Sequence, residues 1–326
     1  MERELTLEFA RVTEAAALAA ARWMGLGDKN AADDAAVAAM RAVFDTIHID
    51  GEVVIGEGEM DEAPMLYIGE KVGVGVEPQV DIAVDPLEGT NLVAKGMPGA
   101  MAVVAVAEKG CLLHAPDMYM DKIAVGPKAA GKINLDASVE ENLKAVACAL
   151  DKNVPDLTVV ILDRPRHAKL IEEVRKAGAR IQLITDGDVS PAVATAFEDS
   201  GVDMMLGIGG APEGVLAAAA LKALGGELQG RLVPGNEQEE ERARSMGLAD
   251  PRQLLTMDDL VKTNDVIFTA TGITTGSLLR GVRFTADGAV THTVVLRGLT
   301  GTMRIIEARH RFDKKPSWRD LCAEAK

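Results

Sequence analysis

The second half of the chain alternates strand-like with helix-like segments, and this alternation constrains the fold more than any other feature. The apolar segments typical of strands cover residues 158–162, 180–184 and 203–206. The helical patterns between and after them cover residues 166–177, 189–198 and 212–224. Such alternation predicts a mainly parallel sheet, with ligand sites at the carboxyl ends of the strands. The sequence therefore indicates an α/β protein.

The first half predicts a different order of elements. Alanine-rich helices are expected at 5–24, at 31–47 after an N-cap at Asp28-Lys29-Asn30, and at 138–150, where Ser138 and Glu141 form a capping box. Strands are expected near 52–55, 79–84, 102–107 and 122–125, and in the tail near 266–270, 293–296 and 302–308. Pro86 lacks an N–H and fixes its own φ, so the strand from Gln79 should stop before it. We expect two tightly packed halves, residues 1–151 and 152–326.

The composition excludes several classes of protein. Of the 326 residues, 48% are apolar and only 3% are aromatic, which predicts a core of aliphatic side chains and methionine. A formal charge of −15 argues against a general nucleic-acid binder. No apolar run reaches the ~18 residues that a membrane span needs. Three widely spaced cysteines fit a reducing compartment: Cys111, Cys148 and Cys322. We expect a soluble cytoplasmic protein without nucleic-acid or membrane partners.

Asp85 and Glu88 lie at the predicted end of the strand from Gln79. Gly89 can adopt backbone angles that are sterically unfavourable for other residues, and Thr90 adds a hydroxyl group. Two carboxylates and a hydroxyl on one tight turn suit a hard divalent cation, which prefers oxygen ligands. The alternative is a strand end followed by a solvated acidic turn.

A second acidic loop, Gly56-Glu57-Gly58-Glu59-Met60-Asp61, follows the predicted strand at 52–55. Its glycines allow sharp bends that would direct carboxylates outward. The alternative is again a solvated loop. Asp33 and Asp34 are expected in the first turn of the second helix, where acidic residues complement the helix dipole. For Asp34 we favour that structural role.

Three loops at predicted strand ends in the second half carry further polar groups. Arg164-Pro165-Arg166 presents two guanidinium groups on a stiff turn, which suits a phosphate. Asp186 and Asp188 could bind sugar hydroxyls or a metal, or form a turn and a helix N-cap. The segment Gly209–Gly214 opens a helix with exposed N–H groups that suit an anion. Within it, Glu213 suits either a metal or the helix dipole.

Other catalytic motifs are absent from the sequence. It contains no P-loop GxxxxGK[ST], no G-x-S-x-G and no H-E-x-x-H. The five histidines have no ligand spacing: His48, His114, His167, His292 and His310. A histidine metal site or a phosphohistidine route is therefore not expected.

The remaining motifs resemble those of the metal-dependent, lithium-sensitive sugar and inositol phosphatases. They are Gly56-Glu-Gly-Glu59, Asp85-Pro-Leu-Glu-Gly-Thr90 and Gly209-Gly-Ala-Pro-Glu-Gly214. The wider family has aspartate where this chain has Glu88, which narrows the resemblance to the bacterial class II fructose-1,6-bisphosphatases. The segments 55–65, 115–120 and 165–167 also resemble that family, and the likeness runs from about Leu7 to Glu307. It implies a layered α/β/α/β/α sandwich.

The resemblance also implies a role for each site residue. Asp33 and Glu57 would hold one divalent ion, and Asp85, Glu88 and Glu213 would hold another. Thr90 and Asp61 would orient the attacking water, with Glu59 and Lys29 nearby. The substrate would be contacted by Glu88, Gly89, Thr90, Tyr119, Arg164, Arg166, Asp186, Asp188 and Gly210. Residues 1–151 would then form the metal-binding catalytic half, and residues 152–326 the substrate-binding half that contributes Glu213.

The implied activity is hydrolysis of the 1-phosphate of fructose 1,6-bisphosphate with two Mn²⁺ or Mg²⁺ ions, a step of gluconeogenesis. Two such ions would reduce the five negative charges of the implied ligands to one, so a phosphate dianion could approach. Hydrolysis would be in-line and without a phosphoenzyme. Three alternatives stay open: sedoheptulose 1,7-bisphosphate alone or as a second substrate, an inositol phosphate, or a phosphosugar-binding regulator without catalysis. A homodimer or homotetramer is expected.

Overall fold

The computed structural model describes Met1, residues 3–58 and residues 64–314. The chain divides into two compact units. Unit 1 combines Met1–Cys111 with the chain from Asp265 onwards, and unit 2 is Leu112–Asn264. The boundary expected between residues 151 and 152 falls inside unit 2. Unit 1 includes both ends of the chain because the strand Val266–Gly272, from the C-terminal part of the chain, pairs with the strand Met101–Glu108.

The described residues form nine α-helices and thirteen strands, numbered here in chain order. The helices are α1 (Leu5–Ala20), α2 (Lys29–Phe44), α3 (Thr90–Lys95), α4 (Val139–Ala149), α5 (Ala168–Ala177), α6 (Val189–Ala194), α7 (Ala211–Leu224), α8 (Glu237–Ser245) and α9 (Met257–Leu260). The strands are β1 (Asp50–Ile55), β2 (Lys71–Val72), β3 (Gln79–Glu88), β4 (Met101–Glu108), β5 (Tyr119–Val125), β6 (Thr158–Leu162), β7 (Arg180–Ile184), β8 (Met204–Gly210), β9 (Glu227–Leu232), β10 (Val266–Gly272), β11 (Arg283–Phe284), β12 (Gly288–Arg297) and β13 (Thr302–Arg311). No helix in these ranges is both long enough and apolar enough to cross a membrane.

The sheet of unit 1 joins strands from both ends of the chain. Its order is β11-β12-β10-β4-β3-β1-β2, and β13 pairs with β12. Only β1 and β3 run parallel among its described pairs. Helices α1 and α2 pack on one face, where Phe9, Met40 and Phe44 meet strand residues such as Ile82 and Val104. The rest of this core is aliphatic, as the low aromatic content predicts.

The sheet of unit 2 has the order β7-β6-β8-β5-β9. Strand β6 is parallel to β7 and β8, whereas β5 is antiparallel to β8 and β9. The prediction of a mainly parallel sheet is therefore correct only for β6, β7 and β8. Strand β9 was not predicted. Helices α4 and α5 cover one face with Leu143 and Val174, and α6 packs Ala194 against Val160 on the other. Both units combine helices with mixed sheets, which confirms the α/β class.

Strand β3 runs through Pro86 to Glu88, so the prediction that Pro86 ends the strand was wrong. Asp85 pairs with Val103 and Glu88 pairs with Met101, so two residues of β3 oppose one residue of β4. This is a β-bulge, where proline is tolerated because a ladder N–H is not required. Glu88 is therefore the last residue of the strand rather than part of a following turn.

Several other element ends differ from their predicted positions. Helix α2 begins at Lys29 instead of residue 31, with Asp28 as N-cap, so Asp33 lies in its second turn rather than its first. A 3₁₀ turn, Pro165–His167, precedes α5. Tyr119, expected in a connection, is the first residue of β5. The capping box at the start of α4 is confirmed.

Candidate active site

Glu57 lies two residues beyond the end of β1, and its carboxyl group is hydrogen-bonded to that of Asp33 on α2. One of the two carboxyl groups must therefore hold a proton. Burial, followed by the charge of Asp33, raises the pKa of Glu57 to about 8. Burial, followed by the charge of the exposed Asp34, also raises the pKa of Asp33. A divalent cation would relieve this repulsion, so the pair fits a metal site.

A glycine at position 56 is needed to bring the chain to this pair. A Cβ atom there would lie 1.9 Å from the carbonyl oxygen of Leu66. The N–H of Glu57 donates to that same oxygen at 3.0 Å, and the N–H of Ile68 donates to the carbonyl of Gly58 at 2.9 Å. The two ends of the acidic loop are thus paired with each other. Glu59 and Asp61, which were predicted at its centre, lie outside the described residues.

The end of β3 presents a second pair of carboxylates. Asp85 and Glu88 offer oxygen atoms that lie within 4.8 Å of one another. The bulge sets this spacing, and Asp85 Oδ1 accepts a hydrogen bond from the Leu87 N–H at 3.0 Å. Glu88 is buried. Two close carboxylates suit a hard divalent cation.

Gly89 and Thr90 turn the chain from β3 into α3. Gly89 is the N-cap residue with φ +88°, in the left-handed region that favours glycine. Thr90 occupies the first helical position, directly after an N-cap glycine that has no side chain to cap the helix.

Backbone hydrogen bonds tie the start of α2 to the end of α3. The N–H of Gly25 donates to the Val93 carbonyl at 2.9 Å, and the N–H of Gly27 donates to the Ala94 carbonyl at 3.0 Å. These bonds place the helix that carries Lys29 and Asp33 against the helix that begins at Thr90. The exposed Lys29 is the first residue of α2.

Arg166 is held firmly at the carboxyl end of β6. Its Nε and Nη2 atoms donate to the Ile208 carbonyl oxygen at 3.1 and 2.7 Å. Its guanidinium carbon lies 4.6 Å from the ring centroid of Tyr119. The side chain is nevertheless exposed, so it can also receive an anion. Arg164 on the same turn lies 3.8 Å from the carboxylate of Asp186.

His167 anchors this turn, a role that no pattern in the sequence indicated. It is 2% exposed, and its Nδ1 atom lies 2.7 Å from the Leu162 carbonyl oxygen. Its Nε2 accepts a hydrogen bond from the Ile208 N–H at 2.8 Å, so Nδ1 carries the proton and the ring is neutral. Ile208 thus bonds His167 through its N–H and Arg166 through its carbonyl.

A buried lysine that the sequence analysis missed joins two of the expected substrate residues. Lys122 Nζ lies 2.6 Å from Asp188 Oδ2 and 2.9 Å from the Gly210 carbonyl oxygen. Lys122 is the fourth of the seven residues of β5, where an alternating pattern would leave a lysine exposed to solvent. Its side chain is instead covered by Asp188, Gly209 and Gly214, which lie far along the chain.

Glu213 lies in the first turn of α7 and folds back over Gly210. A Cβ atom on Gly210 would lie 1.8 Å from Glu213 Oε2. The residue is half-buried, but Oε2 is fully buried and has no hydrogen-bond partner within the described residues. Burial, then the charge of Asp188, raises the pKa of Glu213, and Lys122 partly opposes this rise. A buried carboxylate oxygen without a donor fits a metal ligand.

The described site residues divide between the two units. Unit 1 carries Lys29, Asp33, Glu57, Asp85, Glu88, Gly89 and Thr90. Unit 2 carries Tyr119, Arg164, Arg166, Asp186, Asp188, Gly210 and Glu213. Paired carboxylates together with arginines fixed for an anion are typical of an enzyme that hydrolyses phosphate esters.

Comparison with known proteins narrows this class. Residues 3–310 match the family model described as bacterial fructose-1,6-bisphosphatase, glpX-encoded. The chain is 50% identical over 328 residues to fructose-1,6-bisphosphatase 1 class 2 of Escherichia coli (strain K12), with 97% of each chain covered. It is 48% identical over 337 residues to the D-fructose 1,6-bisphosphatase class 2/sedoheptulose 1,7-bisphosphatase of Synechococcus sp. (strain JA-3-3Ab), with 96% of this chain and 97% of the relative covered. The chain therefore belongs to the bacterial, glpX-encoded fructose-1,6-bisphosphatase family.

Proposed function

We propose that this enzyme hydrolyses the 1-phosphate of fructose 1,6-bisphosphate to give fructose 6-phosphate, as a cytoplasmic step of gluconeogenesis. The proposal rests on the opposite charges of the binding groups that the two units offer. Unit 1 offers close carboxylates for divalent ions, and unit 2 offers an arginine fixed by Ile208 and Tyr119. A sugar bisphosphate needs both, because one phosphate reacts and the other must be held.

The donor atoms fit Mn²⁺ or Mg²⁺, which prefer oxygen ligands. Three observations support this assignment: the raised pKa of Glu57 beside Asp33, the close oxygens of Asp85 and Glu88, and the unpartnered Oε2 of Glu213. Asp33 and Glu57 would hold one ion, and Glu213 would join Asp85 and Glu88 around a second. When bound, the ions would neutralise these carboxylates and polarise the phosphoryl oxygens.

The chain itself would position the water and the sugar. Thr90 Oγ1 would accept a hydrogen bond from the attacking water while it donates to Asp61, which directs the water in line with the departing sugar oxygen. Lys29 and Glu59 would assist nearby. Arg164 and Arg166 would grip the phosphate that is retained. The sugar would be contacted by Glu88, Gly89, Tyr119, Asp186, Asp188 and Gly210.

A second substrate is supported by one observation. The relative from Synechococcus carries both activities in its name and matches almost the whole chain. Sedoheptulose 1,7-bisphosphate presents the same terminal phosphate groups on a sugar one carbon longer. It is therefore the second candidate substrate for this chain.

Phosphate release from a panel of substrates tests these proposals. Fructose 1,6-bisphosphate, sedoheptulose 1,7-bisphosphate, fructose 1-phosphate and inositol 1-phosphate would each be assayed with Mn²⁺, with Mg²⁺ and with EDTA. We expect the fructose bisphosphate to be hydrolysed fastest, and EDTA to abolish turnover. Equal turnover in EDTA would exclude the metal sites. Tight binding without phosphate release would instead identify a regulator.

Substitution of one ligand makes the metal test specific. Asp85→Asn should lower kcat at saturating metal by at least ~10³-fold, because electrostatic stabilisation of this kind supplies several kcal/mol of the barrier. Asp34→Asn is the matched control, since Asp34 is exposed and not assigned to a metal. A variant at Asp85 that kept more than about a tenth of the wild-type kcat would contradict the assignment.

The chain is also proposed to form a homodimer or homotetramer, as its resemblance to the family implies. Light scattering coupled to size exclusion would measure the mass of the particle. A mass equal to one chain of 34.4 kDa would contradict this part of the proposal.

A further inference from the structure

Lys122 contacts two expected substrate residues of unit 2 at once. Asp188, which accepts from its Nζ atom, is the N-cap residue of α6. Gly210, whose carbonyl oxygen accepts from the same atom, is the N-cap residue of α7. A single ammonium group therefore fixes the starts of two helices relative to β5.

The surroundings of Lys122 leave little room for another arrangement. Lys122 is 1% exposed and Asp188 is 5% exposed, so neither charge can be satisfied by bulk water. A Cβ atom on Gly209 would lie 1.9 Å from Asp188 Oδ2 and 3.0 Å from Lys122 Nζ. A Cβ atom on Gly214 would lie 3.2 Å from Lys122 Cδ. The glycines at 209 and 214 therefore make the space that the ion pair occupies.

Burial of this kind has a consequence for the side chain of Asp188. A buried carboxylate that loses its partner must take up a proton, move toward water or acquire a counter-charge. Each change would alter how Asp188 faces a ligand. Lys122 thus fixes the direction of the Asp188 carboxylate.

We infer that Lys122 is a positioning residue for sugar recognition, which acts by holding the Asp188 carboxylate and the Gly210 carbonyl in place. This inference rests on the proposed contacts of Asp188 and Gly210 with the substrate. Lys122 itself is buried and is not assigned to the reacting phosphate. Its loss should therefore change the binding of the sugar more than the rate of the chemical step.

The test compares Lys122→Met, Asp188→Asn and the double variant with the wild-type enzyme on fructose 1,6-bisphosphate. Lys122→Met should lower kcat/KM by about 100-fold, mainly through a higher KM, with kcat within about fivefold of wild type. Asp188→Asn should give a similar loss. The double variant should fall below Asp188→Asn by far less than about 100-fold, because both changes disrupt the same ion pair and only the contact with the Gly210 carbonyl is lost in addition.

Lys152→Met is the matched control. In the same unit, Lys152 Nζ lies 2.6 Å from Asp203 Oδ1. Asp203 lies just before the start of β8, whereas Gly210 is at the other end of that strand. This variant breaks a Lys–Asp pair that holds no assigned substrate residue, and we expect kcat/KM within about twofold of wild type. An equal loss in both lysine variants would mean that Lys122 is merely structural, and would overturn the inference.

The remaining outcomes separate this inference from the proposed function. Wild-type kinetics in Asp188→Asn would contradict the proposed substrate contact itself. A loss in Asp188→Asn with wild-type kinetics in Lys122→Met would contradict only the role of Lys122. If Lys122→Met does not fold, the double variant still tests the inference, because it leaves no unpaired carboxylate in the core. A further loss of about 100-fold below Asp188→Asn would mean that Lys122 acts independently of Asp188 and would overturn the inference, whereas a much smaller further loss would support it.

Discussion

Among single residues, Arg166 offers the sharpest test of how the retained phosphate is held. Its guanidinium is fixed by Ile208 and Tyr119 but exposed to solvent. Charge-assisted pairs with a phosphate contribute roughly 2–4 kcal/mol. Arg166→Ala should therefore lower kcat/KM on fructose 1,6-bisphosphate by about 30- to 1000-fold, and far less on fructose 1-phosphate, which lacks the second phosphate. Steady-state kinetics on both substrates measures this difference.

Arg180→Ala serves as the control for this prediction. Like Arg166, Arg180 donates from Nη2 to a backbone carbonyl, that of Asp156, at 2.7 Å. Arg180 is the first residue of β7, however, and the expected substrate residue Asp186 lies beyond the other end of that strand. Its removal should leave both substrates unaffected. If Arg166→Ala harmed both substrates equally, Arg166 would serve the reacting phosphate or the fold instead.

Glu57 predicts a pH dependence of metal binding. Its pKa of about 8 lies above the ordinary value of 4.5, so the metal-free protein holds a proton there at neutral pH. Mn²⁺ must displace that proton, so its affinity should rise with pH by up to about tenfold per unit between pH 6 and 8. Calorimetry in two buffers of different ionisation enthalpy should show about one proton released per ion at pH 7.

The stability of the metal-free protein should have the opposite dependence. A raised pKa in the folded state contributes stability that is fully present below about 4.5 and is lost as the pH rises through about 8. Added Mn²⁺ should therefore raise the melting temperature more at pH 8 than at pH 6. Glu57→Gln should release no proton at this site. Release that persisted unchanged in this variant would assign the proton to another group.

At the level of elements, the end of β8 is packed so closely that one methyl group should disturb the site. Gly209→Ala would place a Cβ atom 1.9 Å from Asp188 Oδ2, so the carboxylate must move. We expect KM for the bisphosphate to rise by about 10- to 100-fold with a smaller change in kcat. Gly235→Ala is the control, because its Cβ would meet its nearest neighbour at an ordinary 3.6 Å. Equal kinetics in the two variants would show that Asp188 does not need this position.

The elements also show how far the sequence could predict the site. Asp85 and Glu88 were predicted together near the end of one strand, and the structure brings their oxygen atoms close to each other. The pairing of Asp33 with Glu57 was implied only by the family resemblance. The prediction that β3 ends before Pro86 was wrong because it considered only the missing N–H of proline. The bulge that accommodates Pro86 depends on pairing with β4, which lies outside the local pattern.

Lys122 was missed because the residues that surround its side chain, Asp188, Gly209 and Gly214, are distant in sequence. Local patterns thus located the acidic residues, but not the buried contacts beside them.

For the whole molecule, the two units should differ in their ability to fold alone. Unit 2 is a continuous segment, Leu112–Asn264, whereas unit 1 needs residues from both ends of the chain. Strand β10 lies between β4 and β12 in its sheet. The amino group of Met1 also pairs with Asp265, and Arg297 donates to the Met1 carbonyl at 2.8 Å.

We therefore expect a fragment of residues 112–264 to unfold cooperatively by itself. A fragment of residues 1–111 should remain unfolded or aggregate, because β4 would be left as an open edge. Circular dichroism during thermal unfolding measures both. Cooperative unfolding of the N-terminal fragment would contradict the need for the returning strands.

The return of the C-terminal strands to unit 1 has a consequence for synthesis on the ribosome. Strand β4 leaves the exit tunnel early, but β10, its partner, follows only after the whole of unit 2. At bacterial translation rates this delay lasts about 8–30 s. During that time the nascent chain presents an apolar strand, Met101–Glu108, with an unpaired edge that other chains can join. The order in which this protein is made therefore creates an interval in which a chaperone at the ribosome would protect it from aggregation.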